Sequence, residues 1–284
     1  MRFDQVVIPL APRSLANCLD LLLLLFRRGL GTYLLLWALV AGPACGLIYW
    51  LAYRYECTLL VAAAIGFLAS GPLGLLVAAA TAPAAFGDPL TVRNALRRLG
   101  PAAWRPLLRS LLARLVELAG LCVCAAPGIY LIIRDGFYAE QRLLSNLARH
   151  LHDKRTDRLL RGEMGDLIGR AIPLLAYGLL LWGVLVVTLD FASSRLLGLP
   201  VLLGRLQADP TYLADLGELI VAAFKFLGTD PLVESFAIGV ALLVYSHLRI
   251  AWFLCYIDVR VRRDCWDLEL QILQETDRLA GETA

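Results

Sequence analysis

Charge is scarce in this sequence, and where it occurs it is clustered. Of 284 residues, 18% are charged and 59% are hydrophobic, and the mean hydropathy is +0.68. An ordinary soluble domain is about 45–50% apolar. A single soluble core has too little interior to use that surplus, which excludes a conventional soluble domain as the body of the chain. A net charge of +3 is too small to argue for nucleic acid, and no nucleic-acid partner is expected. Catalytic signatures are missing as well. There is no G-x-S-x-G, no Walker A loop, no H-E-x-x-H and no G-x-G-x-x-G after a strand, which lowers the expectation of an enzyme without removing it. The seven cysteines are odd in number and show no metal-site spacing. Cys122-x-Cys124 lacks the two-residue spacer of a redox or zinc pair, so the cysteines read as small apolar packing residues. No repeat, no low-complexity linker and no cleavable leader is evident: the apolar run 21–26 is followed by Arg27-Arg28, not by small residues.

What is present is a set of long apolar runs. Residues 29–52 and 57–86 carry no charge, and each is long enough to cross a bilayer of roughly 30 Å. Trp50, Tyr53 and Tyr55 stand at the far end of the first, where aromatic belts occur. Gly71-Pro72 lies inside the second and is expected to kink it. Residues 171–189 and 231–257 are two further spans. Residues 13–28 read as a helix capped by Ser14 and lying in the cytoplasmic interface, with a plain extension of the first span as the alternative. Leu213, Leu216, Ile220, Phe224 and Leu227 recur at helical spacing and predict an amphipathic helix on the outer surface. Gly42-x-x-x-Gly46 is a helix-contact pattern of small residues.

Residues 107–147 admit two readings. One continuous span would place a strongly basic flank outside. A polar hairpin turning at Pro127-Gly128 returns both flanks to the cytoplasm and is preferred. The expected fold is therefore all-α: a polytopic membrane bundle of about six spans, including that hairpin, with interfacial amphipathic helices. Residues 1–258 form the membrane domain and 259–284 a cytoplasmic tail. On this topology 19 of the 27 Lys and Arg residues lie inside, four lie outside and four lie within spans. That asymmetry places both termini in the cytoplasm and the bilayer as the first partner.

Charges inside spans are the candidate site. Each costs about 2.5–3.5 kcal/mol at the bilayer centre on insertion scales, so each needs a partner. Arg114 and Glu117 share a helix face and can pair. Arg134 and Asp135 are adjacent and point apart. Arg249 is a candidate partner for Asp135 or Glu140, and Arg142 completes the set. The network Arg114, Glu117, Arg134, Asp135, Glu140 and Arg249 reads either as a polar pathway or as structural ion pairs joining helices. Asp258, Arg260 and Arg262, where the last helix leaves lipid, read either as headgroup contacts or as a lock holding the tail to the cytoplasmic loops. His247 is a lone histidine, and His150 and His152 lie in a basic loop. No metal and no cofactor is expected.

Three segments carry a resemblance: RSLANCLDLLLLLFRR, APGIYLIIRDGFYAEQRLL and CYIDVRVRRDCWDLEL. Together they resemble bacterial multi-pass membrane proteins similar to the glycerophosphoryl diester phosphodiesterase membrane domain. Asp258, Arg260, Arg262, Trp266, Asp267 and Glu269 fall on the pattern that often ends the last span in that group. Asp264 and Cys265 depart from it, standing where Glu and Gly are usual. The resemblance implies a helical domain of the bacterial inner membrane. It does not imply phosphodiesterase chemistry, which in that group belongs to a separate soluble domain. The expected role is a non-enzymatic scaffold or accessory subunit with a protein partner on its cytoplasmic face. The alternatives are a small transporter or channel-like protein and a lipid-acting membrane enzyme. A polar cavity lined by Arg134, Asp135 and Arg249 favours the transporter. Convergent carboxylates at headgroup depth favour the enzyme. Fully paired charges without a cavity favour the scaffold.

Overall fold

The computed structural model of the protein describes residues 14–56, 58–85, 89–100, 103–137, 139–140, 143, 164–198, 201–202 and 216–264. Among them every regular element is a helix: α1 Leu15–Arg28, α2 Leu30–Tyr55, α3 Leu59–Ala85, α4 Val92–Leu99, α5 Trp104–Val123, α6 Ala125–Asp135, α7 Met164–Leu197, α8 Leu216–Thr229 and α9 Pro231–Asp264. Four of these, α2, α3, α7 and α9, are long and apolar enough to cross a membrane. At 11 residues, α6 spans about 16 Å, roughly half the hydrocarbon thickness.

The bundle is organised around α9. It touches α1, α2, α3, α7 and α8, and 67% of its most apolar stretch is buried, against 17% for α2 and for α7. A helix apolar all round belongs inside a bundle. The second half of α3 meets that description, being buried almost without break from Ser70 to Pro83. Close approach of α3 to its neighbours depends on three glycines. A Cβ at Gly66 would lie 2.7 Å from Ile238, one at Gly71 would lie 2.7 Å from the Ser110 carbonyl oxygen, and one at Gly74 would lie 2.6 Å from the Tyr245 hydroxyl. By contrast, a Cβ at Gly42 or Gly46 would meet nothing within 4 Å. Small residues at i, i+4 bring helices together only when a helix faces them, and among the described residues nothing faces this pair.

Tryptophans fasten the outer helices to α9. Trp37 of α2 donates its indole N–H to the Gly239 carbonyl at 2.9 Å, and Trp182 of α7 donates to the Ala237 carbonyl at 3.0 Å. Tyr33 and Thr81 share a buried hydrogen bond of 3.0 Å between α2 and α3. Interhelical hydrogen bonds of this type contribute about 0.6 kcal/mol each in lipid.

The short helix α1 is separate from α2. Ser14 caps it, accepting from the Asn17 N–H at 3.3 Å, and Gly29 ends it. Cys18, Leu22 and Leu25, at helical spacing, are buried in the main core, while Leu23 and Leu24 are exposed. A one-sided apolar face thus docks α1 on α9 and α2.

The polar stretch does fold as a hairpin, but not about Pro127-Gly128. Helix α5 stops at Cys124, which is extended at φ −162° and ψ 137°, and α6 begins at the next residue. Pro127 falls in the first turn of α6, where a missing N–H costs nothing. Gly128 serves the packing instead: a Cβ there would sit 2.6 Å from the Leu121 backbone nitrogen.

Other boundaries also move. The span read over 171–189 belongs to the 34-residue α7. Asp190, just past the span read over 171–189, lies inside that helix, buried, and accepts from the Val201 and Leu202 N–H groups at 3.0 and 2.9 Å. Likewise α9 continues through residue 258 to Asp264 with no break at the start of the tail. Arg142, His150, His152, Leu213, Trp266, Asp267, Glu269 and residues 265–284 as a whole lie outside the described residues.

Candidate functional site

Four elements bring charged and polar side chains together at the middle of the bundle. Helix α3 contributes Gly71, Gly74 and Leu75. Helix α5 contributes Arg109, Ser110, Ala113, Arg114 and Glu117. The hairpin's second arm contributes Asp135 and Ala139, and α9 contributes Tyr245 and Arg249. They line a cleft of about 130 Å³, room for several waters or one small polyatomic ion. Gly71 and Gly74 sit near the centre of the 27-residue α3, and Tyr245 and Arg249 near the centre of the 34-residue α9.

The bareness of α3 makes the cleft. Any side chain at Gly71 would strike the Arg114 stem at 2.8 Å, and one at Gly74 would strike the Tyr245 hydroxyl. Those glycines let the guanidinium and the phenol occupy the interhelical space. Arg114 donates to Glu117 at 2.6 Å and to the Tyr245 hydroxyl at 2.9 Å. It also lies over the Phe67 ring, 5.2 Å from the centroid. Both Glu117 and the stem of Arg114 are thereby shielded, with side-chain exposures of 4% and 14%.

Arg249 enters from α9, one turn below Tyr245. It donates to Glu140 at 2.6 Å and to the Gly136 carbonyl at 2.7 Å. Of its two candidate partners it therefore takes Glu140, which is fully buried. Removing either member would strand a buried charge, a loss of about 3–5 kcal/mol. Gly136 is held close by Trp252, whose indole nitrogen lies 2.8 Å from where a Cβ would be. Trp252 in turn stacks on Phe137 at 5.1 Å, so the second arm is clamped to α9 beside the ion pair.

The sequence-read network is thus partly assembled. Arg114, Glu117, Asp135 and Arg249 line the cleft, and Glu140 stands behind Arg249. Arg134 does not line it, as its adjacency to Asp135 on a helix requires. Asp135 is exposed, so it lies at the mouth with the half-buried Arg109. Sequence reasoning missed Tyr245, Ser110 and the two glycines. The available signal is the spacing of Gly71 and Gly74, three apart on one face.

A second polar cluster lies at the end of α9. Asp258 is buried, accepts from Arg170 of α7 at 2.6 Å and is approached by Arg262 at 3.1 Å. Arg170 also reaches Asp166 at 3.0 Å. A lock does form here, but it joins two long helices, α7 and α9. Its partner is Arg170, near the start of α7. Arg260, the other arginine named for the lock, is buried.

His247 is a packed core residue. Its Nε2 shares a 3.0 Å hydrogen bond with the Tyr177 hydroxyl, and the Phe26 ring of α1 meets it edge-on at 4.8 Å.

Compared with protein-family models, with curated proteins and with solved structures, the chain matches none of them.

Proposed function

We propose that the chain is a small transporter or channel-like protein of the bacterial inner membrane that admits a small polar solute to the cleft between α3, α5 and α9. The observation that carries this reading is the cleft itself. Charges serving only to tie helices together have no reason to surround an opening of about 130 Å³, because a void in a packed interior forfeits contacts and is destabilising. A scaffold or accessory subunit remains the competing role, and fully closed ion pairs without a cleft would have favoured it.

The topology that suits this reading has four crossings, α2, α3, α7 and α9, with α5–α6 as a hairpin entering and leaving by the cytoplasmic face. Because α6 is short, it enters without traversing. Such backbone is tolerated at membrane depth when it is buried in protein or lines a polar cavity. Four crossings and a re-entrant hairpin keep both termini and the basic segments on one side, as six spans would. The resemblance to the glycerophosphoryl diester phosphodiesterase membrane domain fits the same proposal, as a membrane domain without hydrolase chemistry. Reporter fusions after Leu151 and Leu203 test the topology. Cytoplasmic signal at the first and periplasmic signal at the second are expected, and a periplasmic signal at Leu151 overturns it.

The activity is tested by reconstituting the full chain on a solid-supported membrane and jumping phosphate, acetate, glycine and sodium in turn. At least one should displace charge in the wild type and not in Gly74→Leu, whose side chain fills the cleft. If no solute does so, or if Gly74→Leu folds and behaves as wild type, the solute-cleft reading fails and the scaffold stands.

A further inference from the structure

The hydrogen-bond accounting inside the cleft indicates which chemistry it accepts. The two buried carboxylates of the cluster are engaged by arginines: Glu117 by Arg114, and Glu140 by Arg249. Among the residues lining the cleft, the capacity left over is donor capacity; the one further buried acceptor without a partner in the cluster, Glu140 Oε1, belongs to a residue that does not line it. The Arg249 Nε–H is buried and has no hydrogen-bond partner, although its two terminal nitrogens are both used. Tyr245 accepts from Arg114, which leaves its own hydroxyl proton to give. Tyr245 and Arg249 are four residues apart on α9, so both project from one face, and both line the cleft.

An orphaned guanidinium N–H in a low-dielectric interior is costly unless something accepts from it. Water can do so weakly. An anionic oxygen adds to the hydrogen bond the attraction of opposite charges. Net charge points the same way but less firmly. The lining carries Arg109, Arg114 and Arg249 against Glu117 and Asp135, one positive charge in excess, and Glu140 behind Arg249 restores neutrality. The unspent donors therefore decide the class, and Arg109 at the mouth supplies the attraction on entry.

Building on the solute-cleft reading, we infer that the cleft is a binding site for a small oxyanion, a phosphate or carboxylate group accepting from the Arg249 Nε–H and the Tyr245 hydroxyl. A cation finds the carboxylates already neutralised, and a bulky apolar ligand finds too little room. The same chemistry is carried by a free ion and by a phospholipid headgroup, and the experiment separates them.

The full chain, purified in mild detergent, is unfolded thermally in sodium phosphate, acetate, glycine or choline chloride, each against sodium chloride of equal ionic strength. Phosphate or acetate should raise the midpoint saturably. Arg109→Gln, at the mouth, should weaken the apparent affinity severalfold, read as the shift from that variant's own ligand-free midpoint. Tyr245→Phe should weaken it about tenfold. Native mass spectrometry of the same preparations identifies the source. A phospholipid retained by the wild type and lost from Tyr245→Phe assigns the oxyanion to lipid, and a phosphate-dependent shift in delipidated protein assigns it to the free ion. Equal stabilisation of wild type and both variants would mean a general salt effect and overturn the site. Saturable stabilisation by choline alone would overturn the oxyanion class yet keep the cleft as a solute site, whereas stabilisation by glycine, which carries a carboxylate, counts with acetate. Stabilisation by none of the four, with no retained lipid, sinks both.

Discussion

The molecule holds two arginine–carboxylate clusters on the same helix, and they are built to opposite ends. Arg249 and Asp258 are nine residues apart on α9, about 14 Å along its axis. At the lower cluster a single carboxylate is the hub. Both oxygens of Asp258 are occupied, one by Arg170 and the other by Arg262, and the cluster ties α7 to α9. At the upper cluster two carboxylates serve two arginines, a cleft opens beside them, and a guanidinium N–H is left over. The difference teaches that buried ion pairs do not by themselves mark a site. What distinguishes one is unspent hydrogen-bonding capacity on residues that line an opening.

The comparison breaks first if the lower cluster turns out to be soft. Asp258→Ala leaves Arg170 buried beside no strong acceptor except the half-exposed Asp166. The expected loss is about 3–5 kcal/mol, read as a collapse of the folded fraction in detergent by fluorescence size-exclusion. The double variant Asp258→Ala with Arg170→Ala should recover part of that loss, because no charge is then stranded. A single-variant cost under about 1 kcal/mol, the range of exposed pairs, would mean the lock is solvated and the contrast with the upper cluster is empty.

Gly74→Ala probes the upper cluster at smaller cost. The added methyl would meet the Tyr245 hydroxyl at 2.6 Å, and overpacking of this size costs about 1–3 kcal/mol. It should also displace Tyr245 from Arg114 and abolish any solute-dependent shift, while leaving the lower cluster intact. Full retention of that shift, with a normal midpoint, would show that α3 does not need its bare face. Arg262→Ala comes next. Its side chain is 45% exposed and sits at i, i+4 from Asp258, so about 0.5 kcal/mol or less is expected in thermal unfolding. A larger cost would make Arg262 a full member of the lock.

How much of this was readable beforehand depends on the distance over which each feature is decided. The four helices long and apolar enough to cross a membrane follow from uninterrupted apolar length, and the Ser14 cap from a local residue type. The Arg114–Glu117 pair follows from spacing on one helix. The Arg249–Glu140 pair was narrowed to two candidates because the need for a counter-charge is local but its identity is not. Arg170 and Asp258 are 88 residues apart, and Arg170 stands next to an apolar run it belongs to structurally, so nothing local announced the pair. The hairpin turn was misplaced by a few residues for a related reason. Pro and Gly are turn formers in general, but a proline in the first turn of a helix is harmless, and the break falls at Cys124, which carries no turn propensity of its own. The glycines were the hardest, since Gly42 and Gly46 match a motif and Gly71 and Gly74 do not. Which pair matters is decided by what faces it.

That last contrast yields the smallest expected effect. Gly42→Ala and Gly46→Ala add a methyl where nothing lies within 4 Å, on a helix only 17% buried over its apolar stretch. Alanine is the better helix former by up to about 1 kcal/mol in water, and a lipid-facing methyl meets no clash. Each variant should therefore change the midpoint by no more than about 0.5 kcal/mol, in either direction. Additivity of the two is expected as well, since neither shares a partner with the other. A cost above about 1 kcal/mol for either would mean that this face of α2 does have a helix against it. Within the chain the described helices leave that face open, so the contact would have to come from a second copy or another membrane protein. The variants would then lower the assembled mass seen by size-exclusion, a change that Gly74→Ala, acting inside the bundle, should not produce.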